Sequence, residues 1–448
     1  MGTTERLADW IAGVKFGDIP TEAFGHAKKS ILDYIGTTIQ GSTTDLGRMI
    51  VDLTREQGGN PQARVIASDI RTNTASAAQA NGTMGHAADF DDLGGVGGHP
   101  ATVLTPTVMA VAEELKLSGQ DALTAWTVGY EVGTRLSSNL HPDRDWHPTA
   151  IFGAMGAAAA ASKLMGLNAW QSRMALGIAG SQASGLRRNF GTMTKPFHPG
   201  HAARSGIIAA KLASRGYTAD PDIIEGRQGY ADNFGGPKCN IPAITKFLGS
   251  LWYLAEEGTR IKPWPCCGGN HQTLTGFFGL LEREKISADE VEWIEHSGPN
   301  IPCTGALLRD EVHEGLEGKF CLRYNIAAAA IDRKVDLDTF SDARAGRGDL
   351  QAFMERVRLV RNSDVVMRRS HIADGNTDAK LTVQMKDGRL HEVEFGPAMH
   401  LSLDATVEKF RGTAGLVFDA EHVGRTIDAV GRLEALPAAA AVLDAVTG

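Results

Sequence analysis

AIFGAMGAAAAASKLMG, residues 150–166, is built almost wholly from alanine, glycine and a few longer apolar side chains. Such residues let helix backbones approach closely but leave little bulk to fill a core, so the run predicts a helix packed tightly on other helices. Residues 202–215 repeat the theme, with Ala203, Gly206, Ile207, Ala210 and Ala213 facing inward and Arg204, Lys211 and Arg215 on another face. Further helices are punctuated by caps. Thr21 precedes Phe24, Ala27, Ile31 and Ile35 at helical spacing, and Gly41 is expected to end that helix. Thr105-Pro106 reads as an N-cap followed by proline at the first helical position, with Val108, Met109, Ala112 and Leu115 on one face and Gly119 after the end. Ser118 with Asp121, and Asn168 with Gln171, have capping-box spacing and open two more helices.

The texture changes near residue 264. VEWIEHSG (291–298) and RVRLVRN (356–362) suggest strands, and LTVQMKDGRLHEVEF (381–395) alternates across a Lys386-Asp387-Gly388 turn like a hairpin. VEKFRG (407–412) and a final Ala/Leu/Val-rich segment return to helix. The expected architecture is mostly α. A large all-helical domain comprises residues 1–263 and 400–448, and a smaller α+β domain comprises 264–399.

At 448 residues the chain is long enough for two domains. A hydrophobic fraction of 42%, a charged fraction of 22% and a net charge of -8 argue against a nucleic-acid partner. They also require any charge that binds an acidic substrate to be local to a pocket. The first twenty residues lack a signal-peptide pattern, no later stretch reaches the length of a membrane span, and Arg6 disfavours myristoylation. A cytoplasmic location is therefore expected. The five cysteines (239, 266, 267, 303 and 321) form neither a disulfide framework nor zinc-ligand spacing.

No GxGxxG after a strand, GxxxxGK[ST] or HExxH is present, which weakens dehydrogenase, NTPase and zinc-protease readings. Gly94-Gly95-Val96-Gly97-Gly98 lacks the dinucleotide spacing, and residues 180–185 (GSQASG) are not a nucleophile elbow. What remains are loops loaded with titratable groups. The first runs His86-Ala-Ala-Asp89-Phe90-Asp91-Asp92-Leu93 and then, past the glycines, His99-Pro100. Sharp glycine turns would bring His99 near Asp89, a pairing that orients an imidazole and raises its basicity. Helix-end caps and a satisfied loop histidine are an equally open reading of the same residues. His147, just before a helix start, could bind a carboxylate together with the helix N-terminus. In residues 191–201, two prolines exclude a helix interior and set Lys195 in a rigid turn, where its charge suits an anion. Lys262 and His271 lie in the proline-stiffened hinge 260–271 (RIKPWPCCGGNH), a place where ligands bind in clefts, although the segment on its own favours a solvated hinge lysine. Arg187, beside Arg188, could clamp a carboxylate bidentately, although exposed arginine pairs are common.

Taken together, HAADFDD then HP, WHPT before a Gly/Ala helix, SQASG then TKPFHPGHAA, and KPWPCCGGNH resemble the MmgE/PrpD family in order and spacing over about residues 5 to 412. GKFCLRYN (318–325) and Lys409-Phe410-Arg411 are similar to family features too. The resemblance implies a large helical domain built from both chain ends, a smaller α+β lid and a homodimer. It also implies proton-transfer chemistry on small polycarboxylates with no cofactor and no metal. Dehydratase, decarboxylase and epimerase members are known, so a lyase is expected, with an epimerase or other isomerase of a polycarboxylate such as iminodisuccinate as the alternative. A catalytically silent ligand-binding relative is a third possibility.

By the decarboxylase pattern the site positions are Asp89, His99, His147, Lys195 and Lys262, with Tyr324 as an addition. Lys195, Lys262 and His147 would hold carboxylates, and His99 oriented by Asp89 would be general acid or base. Tyr324 or His271 would act on the opposite face. One departure stands out: Leu93 occupies a position where dehydratase and decarboxylase members usually have threonine, so one substrate hydroxyl contact is missing.

Overall fold

In the computed structural model, which describes residues 1–95, 97–142, 145–298, 306–361 and 379–447, the glycine- and alanine-rich run folds as the helix Pro148–Leu164. Proline at its first position has no intrahelical donor to lose. The helix packs against Gly119–Leu140 and Thr194–Ala213. A Cβ on Gly156 would come within 2.7 Å of the Gly129 carbonyl oxygen, and one on Gly206 would strike Ala157. Backbones touch at both crossings, which is what the small residues are for.

The core of this helical part runs from Leu7 through Trp126 to Trp252 and takes in Phe410, Val423, Leu433 and Val442 from the chain end. The final apolar segment, expected as helix, forms the short 3-10 turn Ala439–Leu443 instead. Its backbone bonds go to distant loops, Ala439 N–H to Leu117 O at 2.8 Å and Ala67 N–H to Val446 O at 2.9 Å. No helix among the described residues is long and apolar enough to cross a membrane.

A second core, from Trp264 to Phe395, surrounds a four-stranded sheet. The strand order is Val357–Arg361, Val291–Gly298, Lys380–Met385, Leu390–Glu394, with the first pair parallel and the others antiparallel. The two strands and the hairpin expected from sequence are therefore present, and Gly388 supplies the left-handed conformation (φ 92°) that the tight turn needs. Phe190, from the helical part, belongs to this second core. Val96, Cys303 and Asn362 lie outside the described residues.

Four local readings are corrected. Thr105-Pro106 does not start a helix, because Ala101–Leu115 runs through it with Pro106 inside. The Thr102 carbonyl, which Pro106 cannot satisfy, lies where a Cβ on Gly82 would be 2.8 Å away, while Thr105 Oγ1 accepts the Trp126 indole N–H at 3.1 Å. Residues 101–112 are all buried, and that packing outweighs the roughly 3 kcal/mol cost of an interior proline. Gly119 is the first residue of the next helix, and the previous one ends at Lys116 in the left-handed conformation. Lys195 is not in a turn outside the helix but in the first turn of Thr194–Ala213, which also contains Pro196 and Pro199. Gly41 lies one residue inside Thr21–Ser42, where it makes room for the Met84 carbonyl.

One connection was not anticipated. Asp92–Leu93 pairs antiparallel with Arg260–Ile261, with Asp92 opposite Ile261, and Ile261 also bridges to Leu401. The hinge lysine, next in the chain, is thereby set against the histidine–aspartate loop.

Candidate active site

The helix Thr74–Gly85 ends at His86, and the chain then turns at Asp89 with φ 51°, a left-handed conformation unusual for a side-chain-bearing residue. Such backbone strain persists only where surrounding structure over-determines it. Here the surroundings are ionic. Asp89 Oδ1 lies 3.0 Å from Lys195 Nζ and 2.9 Å from Lys262 Nζ, and Lys262 also donates to the Asp89 carbonyl at 2.8 Å.

Lys195 donates a second bond to His86 Nε2 at 2.6 Å. Because an ammonium can only donate, that nitrogen is an acceptor, and His86 carries its proton on Nδ1, 2.8 Å from Asp91 Oδ1. His99 is fixed in the same tautomer. Its Nδ1 donates to the Asp92 carbonyl at 2.9 Å and sits 2.8 Å from Asp91 Oδ2 in a less well-aligned contact. His99 Nε2 therefore bears the lone pair, 3.6 Å from Asp89 Oδ1. The carboxylate that orients His99 is thus Asp91, and Asp89, expected in that role, is engaged by the lysines.

His147 stands at the N-cap position of Pro148–Leu164, with its Nδ1 3.0 Å from His198 Nδ1. Its ring meets Phe190 edge-on and lies 6.1 Å from that of His86. Lys195 Nζ lies over a pair of aromatic rings that touch each other, 5.0 Å from the Phe190 ring and 5.1 Å from that of Phe320.

Burial sets the electrostatics and the ion pairs correct it. Burial would raise the Asp89 carboxyl, but Lys195 and Lys262 outweigh it and hold Asp89 well below the usual range. Burial likewise opposes the Asp91 charge, and the His86 and His99 imidazoles bring Asp91 well below as well. Lys262 loses to burial but gains more from Asp89 and Asp91, ending above the ordinary lysine value. Burial, with Asp91 adjacent, pushes the Asp92 carboxyl well above the usual carboxylate range. Burial lowers His86 to about 3, with Lys195 adding to the effect against Asp91. It lowers His99 against the pull of Asp91, and it lowers His147, beside Lys195, well below the ordinary histidine value. The site thus brings together the Asp89 and Asp91 carboxylates, the Lys195 and Lys262 side chains, and imidazoles that burial holds toward the neutral form.

The other sequence-expected residues fall elsewhere. His271 is fully buried, 3.2 Å from the Cys266 carbonyl through Nε2 and edge-on to Trp264, and burial beside Lys262 lowers it to about 3. It borders the cluster, but its contacts are with the hinge. Arg187 reaches Asp145 at 3.4 Å, and Tyr324 donates to the Thr339 carbonyl at 2.6 Å while packing on Phe340. Among the described residues neither touches the histidine–lysine cluster.

Sequence reasoning missed roles for His86, Asp91 and His198 although it quoted their segments, and it missed Asp33 entirely. Lys409 ion-pairs with Asp33 at 2.7 Å and donates to the carbonyls of Phe90 and, at 3.2 Å, Lys262. The helix Leu403–Ala414 near the chain end therefore clamps both site loops.

His86, Asp89, Asp91 and His99 also bring potential metal-ligand atoms within 4.8 Å of one another. A cation there would have to displace the two ammonium groups from Asp89 and the imidazole N–H groups from Asp91. The lysines already place positive charge at that point.

Comparison with known proteins supplies the context. Residues 5–240 match the family model described as MmgE/PrpD N-terminal domain, and residues 264–435 match the MmgE/PrpD C-terminal domain. The chain is similar to a protein named cis-aconitate decarboxylase from Homo sapiens, 29% identical over 455 residues covering 97% of this chain and 92% of that one. It is similar also to cis-aconitate decarboxylases of Mus musculus, 27% identical over 97% of this chain and 91% of the relative, and of Aspergillus terreus, 27% identical over 97% and 94%.

Proposed function

The chain belongs to the MmgE/PrpD family as one of its lyases, and from that premise we propose that it expels carbon dioxide or water from a small di- or tricarboxylate, with cis-aconitate the first candidate. The observation that carries this reading is the convergence of two buried ammonium groups on one carboxylate oxygen, that of Asp89. A substrate carboxylate brought there would share the same two lysines.

When a carboxylate leaves cis-aconitate as carbon dioxide, the electron pair of the broken bond spreads through the double bond onto a remaining carboxylate. Lys195 and Lys262 would stabilise that charge as it grows, and preorganised donors in a buried site are effective at this. One proton must then reach carbon. His99, with Nδ1 fixed and Nε2 open, is the acid/base candidate, taking up a proton at Nε2 and passing it on. His147 would hold a second carboxylate. No step in this scheme calls on a cofactor or a metal. A cytoplasmic homodimer without nucleic-acid or membrane partners belongs to the same reading, supported by the net charge of -8 and the family.

Proton NMR in deuterated water tests it, with chelator-treated enzyme, cis-aconitate, citrate, 2-methylcitrate and iminodisuccinate, and a His99→Ala control. New vinyl signals absent from the control are expected. Exchange of an α-proton for deuterium without a new product would replace the lyase with an epimerase, and silence with every substrate would end the reading.

A further inference from the structure

The two histidines of the His147–His198 contact face each other through the same kind of atom, Nδ1 to Nδ1 at 3.0 Å. Two lone pairs or two N–H groups cannot share that distance favourably, so one proton lies between them and the donor fixes the tautomer of both rings. Neither Nε2 has a hydrogen-bond partner among the described residues. His147 is 2% exposed and lies beside His86, Lys195 and Phe190. Its Nε2, on the ring edge away from His198, is thus free for a ligand.

Burial, with Lys195 next, holds His147 well below the ordinary histidine value, and burial lowers His198 to about 4. Both rings are neutral at pH 7. A neutral ring offers one N–H. For His147 to present that N–H to an anion through Nε2, its Nδ1 must be an acceptor, which requires His198 to donate.

His198 is built in for contact with His147. It lies in the first turns of Thr194–Ala213, three residues after Lys195, under the backbone of Gly185. Gly185 adopts φ 118°, and a Cβ there would be 3.3 Å from His198 Cγ and Nδ1, while the Gly185 carbonyl accepts the His147 backbone N–H at 2.9 Å. One residue thus holds the backbone of His147 and roofs the ring of His198.

We propose that His198 is a positioning residue for an anionic substrate: it donates Nδ1–H to His147 Nδ1 and turns His147 Nε2–H toward a second substrate carboxylate, one the lysines do not hold. This rests on the polycarboxylate reading above and adds to it that the second carboxylate is received by a neutral imidazole N–H whose tautomer His198 sets.

The test uses the whole protein with His198→Leu, which removes the donor, and His198→Asn, whose amide N–H can take the place of Nδ1–H. A neutral hydrogen bond to a charged group contributes about 1.5–3 kcal/mol. KM for cis-aconitate is therefore expected to rise roughly 10- to 100-fold in the leucine variant, with kcat changed much less, and to stay within about 3-fold in the asparagine variant. In parallel, 15N shifts of labelled histidines report the His147 tautomer with propane-1,2,3-tricarboxylate bound, a saturated compound that needs no turnover. Nε2–H in wild type and His198→Asn, lost in His198→Leu, supports the proposal even if cis-aconitate is never turned over, and in that case only the reaction reading fails. Nδ1–H on His147 in the wild-type complex, or an unchanged KM in the leucine variant, overturns the proposal while leaving turnover intact. Failure of the tricarboxylate to bind overturns both. Equal loss in both variants reduces His198 to a packing role.

Discussion

Two buried lysine–aspartate clusters grip the same loop, residues 89–92, and they are built differently. Lys409 uses all three of its donors: the Asp33 carboxylate and the carbonyls of Phe90 and Lys262, with the Phe90 ring 3.8 Å away. Lys195 and Lys262 share one oxygen of Asp89, and each makes only one further bond, to His86 Nε2 and to the Asp89 carbonyl. Toward the described residues, each keeps a donor in hand. Burial is the same in both clusters, so it does not separate a structural ion pair from a binding site. Unused donors beside fixed imidazoles do.

Removing Lys409 should have the largest effect on the fold. Lys409→Met leaves Asp33 buried without its partner and strips two carbonyls of a donor, and breaking such a pair costs about 3–5 kcal/mol. Chemical denaturation of the variant measures this directly. A loss below about 1 kcal/mol together with abolished turnover would erase the distinction between the clusters, because Lys409 would then act on substrate rather than on the loop.

Lys262→Met probes the other cluster and should leave the fold nearer to wild type, since Asp89 keeps Lys195 at 3.0 Å. Turnover should fall instead, by about 10²–10³ in kcat/KM, the usual result of deleting one preorganised donor at a developing charge. A variant that unfolds as readily as Lys409→Met but retains activity when folded would make Lys262 a second clamp.

The clusters also differ in the sign of their pH dependence. Burial lowers His86 to about 3, with Lys195 adding to the shift. A histidine whose folded pKa is depressed contributes stability that is present above its unfolded value of about 6.5 and is lost as pH falls toward the folded value. Asp33 runs the other way: burial, only partly opposed by Lys409, raises it to about 6. A raised carboxyl contributes stability that is present below its unfolded pKa and is lost as pH climbs through 6. His86→Asn should therefore flatten the fall in stability below pH 6.5 by about 1.4 kcal/mol per pH unit. Asp33→Asn should flatten the opposite slope between roughly pH 4 and 6. Unfolding curves at half-unit pH intervals compare the two, and slopes of the same sign would show that the two clusters titrate as one unit.

The sequence carried the helical architecture because that information is local: glycine and alanine at helical spacing, capping boxes at Ser118 and Asn168, and a hairpin turn at Gly388 each act within a few residues. It misplaced the helix start at Thr105-Pro106 because a local proline cost was outweighed by packing that only the folded chain provides. The site was legible as a set of residues and not as a set of pairs. Asp89, His99, Lys195 and Lys262 do meet, but the exchange of partners between Asp89 and Asp91 depends on the turn at Asp89, and no spacing encodes which of two nearby carboxylates an imidazole will face. Lys409 stood out only as part of a family-like segment, and nothing local pointed to Asp33 or to its pairing with a lysine 376 positions away by their numbers.

The smallest effect concerns the aromatic surfaces that both lysine clusters possess. Phe190 and Phe320 adjoin Lys195, and Phe90 covers Lys409. A cation over an aromatic face is stabilised by about 0.5–1 kcal/mol where solvent is near, and more when the pair is desolvated. Phe320→Leu keeps an apolar residue of similar reach in the second core but removes one face from Lys195, so its ammonium should be slightly less well held. The expected outcome is a 2- to 5-fold lower kcat/KM, following from that same energy, and no change in the pH slope assigned to Asp33. Phe90→Leu, in contrast, should cost a comparable fraction of a kcal/mol in stability with kcat/KM unchanged. If Phe90→Leu lowers kcat/KM as much as Phe320→Leu does, the clamp and the binding site are energetically one, and the saturated lysine would have to be counted among the groups that tune the reaction.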